Sequence, residues 1–410
     1  MPSDGRRSAI RGDALINGRV VEDALIEMES RGAERVIVAA GPAGRRAAAA
    51  RAQRVDGLIA PGYVDIHLHG AAGHDALGPR GAQALLEATR GQKSPERDIV
   101  ASLRSIAAET ARHGYAAIVP ASVSLPLPSL RIWARAVATA RAEQSADRAA
   151  RRGSNEAIIL GGHMEGPAIA HARKGAHDPT ALVDGGRLLA ALQDREHDWS
   201  AIRVVTLAPE LKGSDALIDH LVARRVVASV GHSTATFEQA TAAWGRGAAS
   251  TTHLCNGMDP LHHRTPGVAA AALLHPRARV EMICDGVHVD LRMAALFAQL
   301  LGPRLVIVSD ACPAAGRGDG DFMLGAMPVR VKGAHATLAD GTLAGAVSLV
   351  DRGVQNLVGA GTPLAQALTA ATRTPADLLR APELGRLAPG AIARLVSVDP
   401  TTGKLLRSSL

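Results

Sequence analysis

An alternation narrows the fold of this chain more than any other feature. Between about Gly57 and Ser309, eight short, continuously apolar runs are separated by longer segments, most of them with a helical period. The runs are 63-YVDIH-67, 115-YAAIVPA-121, 157-AIILGGHM-164, 202-IRVVTLA-208, 226-VVASVGH-232, 248-AASTTHL-254, 279-RVEMICDG-286 and 304-RLVIVSD-310. Strands that are apolar on both faces belong to parallel sheets covered by helices. Helical periodicity is plain in 97-RDIVASLRSIAAETARHG-114, 235-ATFEQATAAWGRG-247 and 290-DLRMAALFAQLLG-302. Gly114, Gly247 and Gly302 stand where a helix C-terminus needs a residue free to turn left-handed. Eight strands alternating with helices predict an α/β protein with a (β/α)8 TIM-like barrel. A doubly wound open sheet is the rival.

The chain ends read differently. Residues 14-ALINGRVVEDALIEME-29 and 34-ERVIVAA-40 alternate as short strands joined by a turn, and the tail 383-ELGRLAPGAIARLVSVDP-400 has the same character. They predict a small β-sandwich domain built from both termini, residues 1–56 with 381–410, beside a barrel domain of residues 57–380. The Ala/Arg-rich segment 42–54 carries little information, and 141–156 reads as a helix end and loop. No repeat of fixed period is present.

Composition removes several classes of function. Of 46 basic residues only five are lysine, and the arginines are scattered rather than striped. With 2% aromatics there is no basic–aromatic interleaving to stack bases, so the net charge of +7 does not indicate nucleic acid. No run reaches the ~18 apolar residues that span a bilayer. The N-terminus lacks the apolar core of a signal peptide. Cys255, Cys284 and Cys312 form no CxxC pair, which fits a reducing compartment, and cytoplasm is the expected location.

Polar residues cluster at the ends of the apolar runs. His67 and His69 close the first, in 61-PGYVDIHLHG-70, and residues two apart on a strand project to one side. Glu165 follows the third run, His232 ends the fifth, His253 the sixth and Asp310 the eighth. In a barrel, strand C-termini share one rim, where such enzymes keep their chemistry. Any one of these residues alone reads as a hydrogen-bonded polar group at a strand end. Six in register on five strands do not, because each would bear a desolvation cost without a partner. Four imidazoles and two carboxylates suit Zn²⁺ or Fe²⁺.

At this point a family resemblance becomes visible. The segments 61-PGYVDIHLHG-70, 163-HMEGP-167, 174-KGAHDP-179, 206-TLAPE-210, 231-GHSTA-235, 253-HLCNGMDPLHHRTPG-267, 284-CDGVHVD-290, 309-SDA-311 and 341-GTLAGA-346 resemble, in order, those of N-acetylglucosamine-6-phosphate deacetylases of the amidohydrolase superfamily. The resemblance implies that Glu165, His232 and His253 bind a principal divalent metal, and that His67 and His69 add a second position. One or two ions per subunit are therefore expected. It implies that Asp310, at the same centre, is the catalytic acid and base, and that His288 polarises the carbonyl or binds the sugar. It places Ala176, His177, Asp285, Leu343, Ala344 and Gly345 around the substrate. Asn256, Gly257 and Arg264 fall to the phosphate, which a guanidinium's paired N–H groups match. Because the family's corresponding arginine reaches a neighbouring subunit's substrate, a homodimer is implied.

The expected partner is a phosphorylated N-acetyl amino sugar, deacetylated in amino-sugar catabolism and cell-wall recycling. N-acetylgalactosamine 6-phosphate or another acylated amine is the alternative substrate, and a catalytically silent scaffold the alternative class. The chain departs from the family at Cys255 and Gly257, where phenylalanine and alanine are usual, and in the loop 312-CPAAGRGDGDF-322. The tail 392-IARLVSVDP-400 also lacks the acidic residue that usually precedes its leucine. Cys255 and Cys312 read as small packed residues rather than ligands.

Overall fold

The computed structural model describes residues 6–44, 47–150, 155–194 and 196–410. The eight apolar runs form eight parallel strands. These are β1 (Tyr63–Leu68), β2 (Tyr115–Ser122), β3 (Ile158–Ile159, resumed at Gly162–Glu165) and β4 (Ile202–Leu207), then β5 (Val227–Val230), β6 (Ser250–Thr251), β7 (Arg279–Ile283) and β8 (Leu305–Val308). Neighbours pair in sequence order. Just past β8, Asp310 N–H donates to His67 O at 2.9 Å and His69 N–H donates to Ala311 O at 2.8 Å. The last strand's exit therefore meets the first strand's exit, and the cylinder closes at its C-terminal rim.

Strand periodicity divides the core into two layers. Val64, Ile66, Val204, Ile283 and Val306 pack inside the barrel. Their neighbours Val205, Met282 and Ile307 face outward, against helices that contribute Leu103, Ile106 and Val137. With so few aromatic residues, Trp133 matters: it is fully buried, and its Nε1–H donates to Ala76 O at 3.0 Å. The helices expected near residues 97, 235 and 290 occupy Glu96–Arg112, Phe237–Gly245 and Leu291–Leu301. The second is opened by a capping box between Thr236 and Gln239, and the third by Asp290, whose carboxylate accepts from Arg292 N–H. Gly114 and Gly247 take φ of 79° and 112° just beyond helix ends, the conformation that favours glycine there.

Some boundaries differ from the sequence reading. β3 breaks at Gly161, where φ is 149° and a Cβ would lie 2.3 Å from Ala201 O, so the backbones touch and regular pairing lapses. β6 keeps only two paired residues because the chain turns to place His253 at a φ of 26°. Residues 320–337, expected to begin as loop, form an antiparallel three-stranded sheet of Gly320–Leu324, Met327–Lys332 and His335–Thr337.

The chain ends build one seven-stranded sheet. It takes Arg7–Ile16, Arg19–Arg31, Glu34–Pro42, Gln53–Arg54 and Leu58–Pro61 from one end, and Leu395–Val398 and Leu405–Arg407 from the other. Its strands start earlier and run longer than the alternating pattern suggested. Val36 pairs with Ile392, just before the tail strand, so the sheet folds back on itself around Ile10, Ile26, Met28, Ile37, Ile59 and Leu395. Parts of the low-information segments, residues 45–46 and 151–154, lie outside the described residues.

Candidate metal centre and active site

The six expected ligands meet at the closed rim. His67 ends β1, His69 and Glu165 follow β1 and end β3, and His232, His253 and Asp310 lie just past β5, β6 and β8. His232, His253 and Asp310 have φ of 47°, 26° and 49°, left-handed values that non-glycine residues adopt at a cost of order 1 kcal/mol or more. All six are buried.

Glu165 is the hub. Its Oε1 lies 2.9 Å from His253 Nε2, 3.0 Å from His232 Nε2 and 3.4 Å from His67 Nε2. Its Oε2 lies 3.1 Å from His69 Nε2 and 3.2 Å from His177 Nε2. Asp310 Oδ1 joins from the other side, 3.3 Å from His69 Nε2 and 3.5 Å from His67 Nε2.

The outer nitrogens fix which ring atoms face inward. His232 Nδ1–H donates to Arg173 O at 2.6 Å, and His67 Nδ1–H donates to Glu281 Oε2 at 3.2 Å. In the neutral rings Nε2 is then a lone pair pointing at carboxylate oxygens. His67 Nε2 has no hydrogen-bond partner although it is buried. Lone pairs facing oxygens in a sealed site call for a cation, and an all-nitrogen-and-oxygen donor set suits Zn²⁺ or Fe²⁺. The residues present therefore fit a divalent metal.

His177 plays a different part from these rings. Its Nδ1 accepts from Ser124 N–H at 2.9 Å, so the proton sits on Nε2 and is donated to Glu165 Oε2. Although it groups geometrically with Glu165 and His232, this tautomer makes it an orienter of Glu165 rather than a ligand. Burial holds it neutral, with a pKa lowered to about 4 despite Glu165. Burial also opposes charge on the other groups, but mutual attraction overcomes it. Without a cation the carboxylates draw protons onto the rings instead: Asp310 and Glu165 raise His69 to about 9, and His67 and His177 bring Glu165 well below its ordinary value, so a metal would have to displace protons to bind.

Above the cluster lies a cavity of about 230 Å³. Of the expected substrate residues, Ala176, His177, Asn256, Gly257, His288, Leu343 and Gly345 line it. Asp285 does not. It stands behind His288, with Oδ2 2.8 Å from His288 Nδ1, and this pairing outweighs burial to raise the imidazole's pKa. Ala344 is buried in the core beside the lining residues. Arg264 is exposed on the loop after Asn256 and does not reach the cavity of its own chain.

Three polar residues behind the ligands were not singled out from sequence. Glu281, fully buried on β7, holds His67. Asp65 accepts from Ser309 Oγ–H at 2.5 Å and from His67 N–H at 3.1 Å, tying β1 to β8. His163 is fixed between Ile66 O at 3.0 Å and Thr206 Oγ1 at 2.7 Å. The available signal was a charged or polar residue inside an otherwise apolar run, as Glu281 is in 279-RVEMI-283.

Known proteins carry the same pattern. Residues 58–409 match the amidohydrolase family model. An N-acetylgalactosamine-6-phosphate deacetylase of Escherichia coli O157:H7 is 34% identical, over 83% of this chain and 84% of that protein. An N-acetylglucosamine-6-phosphate deacetylase of Vibrio furnissii is also 34% identical, over 83% and 79%. In structure, the chain is similar to an N-acetyl-D-glucosamine-6-phosphate deacetylase variant of Mycobacterium smegmatis solved with N-acetyl-D-glucosamine-6-phosphate. That similarity has a TM-score of 0.79 at 30% identity and covers 99% of both chains. This chain belongs to the amidohydrolase family, in the group of the N-acetylglucosamine-6-phosphate deacetylases.

Proposed function

We propose that this chain hydrolyses N-acetyl-D-glucosamine 6-phosphate to D-glucosamine 6-phosphate and acetate. One observation carries the reading: six potential ligands from five strands converge beneath a cavity lined by His288, Asn256 and Gly257. The names of the Vibrio furnissii and Mycobacterium smegmatis relatives agree with it, and that of the Escherichia coli relative carries the other epimer.

Glu165, His232 and His253 would hold a divalent ion, with His67 and His69 offering a second position, and such an ion would supply acidification of water towards a pKa of ~7. Asp310 borders both His67 and His69, where it accepts the proton lost by the attacking water. It then delivers that proton to the departing nitrogen, since an unprotonated amine leaves poorly. As the C–O bond forms, negative charge grows on the acetyl oxygen, and it returns to the carbonyl as the C–N bond breaks. Asp285, which accepts from His288 Nδ1–H, favours the imidazolium form of His288, and in that form Nε2–H can donate to the acetyl oxygen. His177 holds Glu165 in place, and Asn256 and Gly257 offer contacts for the sugar phosphate.

Arg264 completes phosphate recognition from a second copy of the chain. Its exposure supports that role, as does an apolar stripe at Met293, Leu296 and Leu300 on the helix Leu291–Leu301. The free thiols of Cys255, Cys284 and Cys312 support a reducing, cytoplasmic setting. No described helix is long and apolar enough to cross a membrane.

The test is acetate release from the 6-phosphates of N-acetylglucosamine and N-acetylgalactosamine, and from unphosphorylated N-acetylglucosamine. The glucosamine epimer should have the highest kcat/KM and the unphosphorylated sugar the lowest. No acetate from either phosphate would end the proposal.

A further inference from the structure

The opposite end of the barrel holds a second and larger cavity, of about 710 Å³. It opens where β4 begins, between the helix Ser214–Ala223 and residues 196–200. Its floor is apolar, formed by Ile202, Val205 and Leu221, and Arg203, Arg224, Arg225 and Arg380 line its rim, Arg203 donating from one Nη to Leu379 O at 2.5 Å. Among the described residues, no carboxylate lies within ion-pair distance of any of the four. The two acids on the rim are engaged elsewhere. Asp194 pairs with Arg131 at 2.9 Å, and Asp198 accepts from Ser200 N–H at 2.8 Å.

Arg225 and Arg380 take φ of 59° and 55°, each two residues past the end of a helix, where glycine is the usual residue. The helix dipole attracts cations to such ends. That attraction would act equally on an arginine one position earlier in relaxed backbone, so it does not explain why strained arginines stand here. Burial lowers the pKa of Arg203; Glu383 opposes this, and Arg380 adds to it.

We propose that this cavity binds a small phosphorylated metabolite, separately from the catalytic mouth. The guanidiniums take the phosphoryl oxygens through paired N–H groups. The apolar floor and the half-buried indole of Trp199 take the body of the molecule.

Trp199 also provides the measurement. Of the three tryptophans, Trp133 and Trp244 are buried at 0% and 3% exposure, so Trp199 is placed to sense the cavity. Glucose 6-phosphate, titrated into the metal-loaded protein, should give a saturable fluorescence change that glucose does not give and that Trp199→Phe removes. Arg225→Gly and Arg380→Gly should each weaken binding about tenfold, the scale of a charged hydrogen bond. Because glycine suits φ above zero, both should leave Tm unchanged or raised. Unchanged affinity in both variants, or equal saturation by sodium sulfate at the same concentration, would overturn the proposal.

Discussion

Nε2 of His232 faces Nε2 of His253 across 3.1 Å, and both lie within 3.0 Å of Glu165 Oε1. Because His232 gives its Nδ1–H to Arg173 O, its inner nitrogen has only a lone pair to offer when the ring is neutral. Removing the metal should therefore abolish turnover and also loosen the rim. A ligand present at a hundred times its Kd stabilises by ~2.7 kcal/mol, which for a chain of this length is a fall in Tm of about 3 °C on chelation. Differential scanning fluorimetry with and without chelator, followed by Zn²⁺ or Fe²⁺ add-back, reads this. An unchanged Tm together with full activity after metal stripping would remove the ion from the site.

Glu281 separates the two metal positions. Its carboxylate touches His67 at 3.2 Å and none of the rings that face Glu165 Oε1 from β5 and β6. Glu281→Ala should lower affinity at the His67/His69 position about 10–100-fold, the usual effect of losing a partner behind a ligand. Glu281→Gln, which keeps an acceptor oxygen, should lose less. Metal stoichiometry at graded free ion checks this, and equal loss at both positions would contradict it.

The two kinds of residue in this site were not equally legible in the sequence. His67, His69, Glu165, His232, His253 and Asp310 could be found because each ends an apolar run, and parallel strands bring their ends to one rim. Glu281, Asp65 and His163 lie within runs, where the apolar pattern gave the strand and hid the exception. The folded-over sheet of the chain ends was visible as alternation, but its length was not, because the added residues at Arg7 and Arg31 are polar edge positions. The arginine cavity left no trace at all. Arg203, Arg225 and Arg380 are far apart in sequence, and only the start of β4 and two helix ends bring them together.

Asp310→Asn should lower kcat by about 10²–10⁴-fold, the usual contribution of a positioned acid and base. The amide keeps an oxygen near His67 and His69 but cannot carry the proton. Bound metal, measured by elemental analysis, should stay close to the parent value. A variant with near-parent kcat would show that the proton travels by another route.

Away from the site, His113 and Asp351 join the first long helix to a later one, with His113 Nδ1 3.4 Å from Asp351 Oδ2. Asp351 raises the pKa of His113 against the opposing effect of burial. A histidine whose folded pKa is raised contributes stability that is full below its unfolded value of ~6.5 and fades as pH climbs through the folded value. His113→Gln should therefore cost more Tm at pH 5.5 than at pH 9. The cost should stay under ~1 kcal/mol, because the pair is partly exposed. Equal losses at both pH values would make the contact one of packing alone.

Arg264 supplies the sharpest test of the second copy, because it is exposed in its own chain while Asn256 and Gly257 of the same loop line the cavity. Acting across an interface, it would raise KM for the 6-phosphate when changed to alanine and leave the unphosphorylated sugar unaffected. Arg264→Ala and Asp310→Asn proteins, each weakly active alone, should then complement when mixed and allowed to exchange subunits. In the mixed dimer, one site has an intact Asp310 from the first chain and an intact Arg264 from the second, so low-KM turnover returns. If Arg264 served its own chain, that site would have Asp310 but lack Arg264, and the mixture would show no more than the average of its parts. An activity gain on mixing therefore tests both the dimer and the direction in which the arginine reaches.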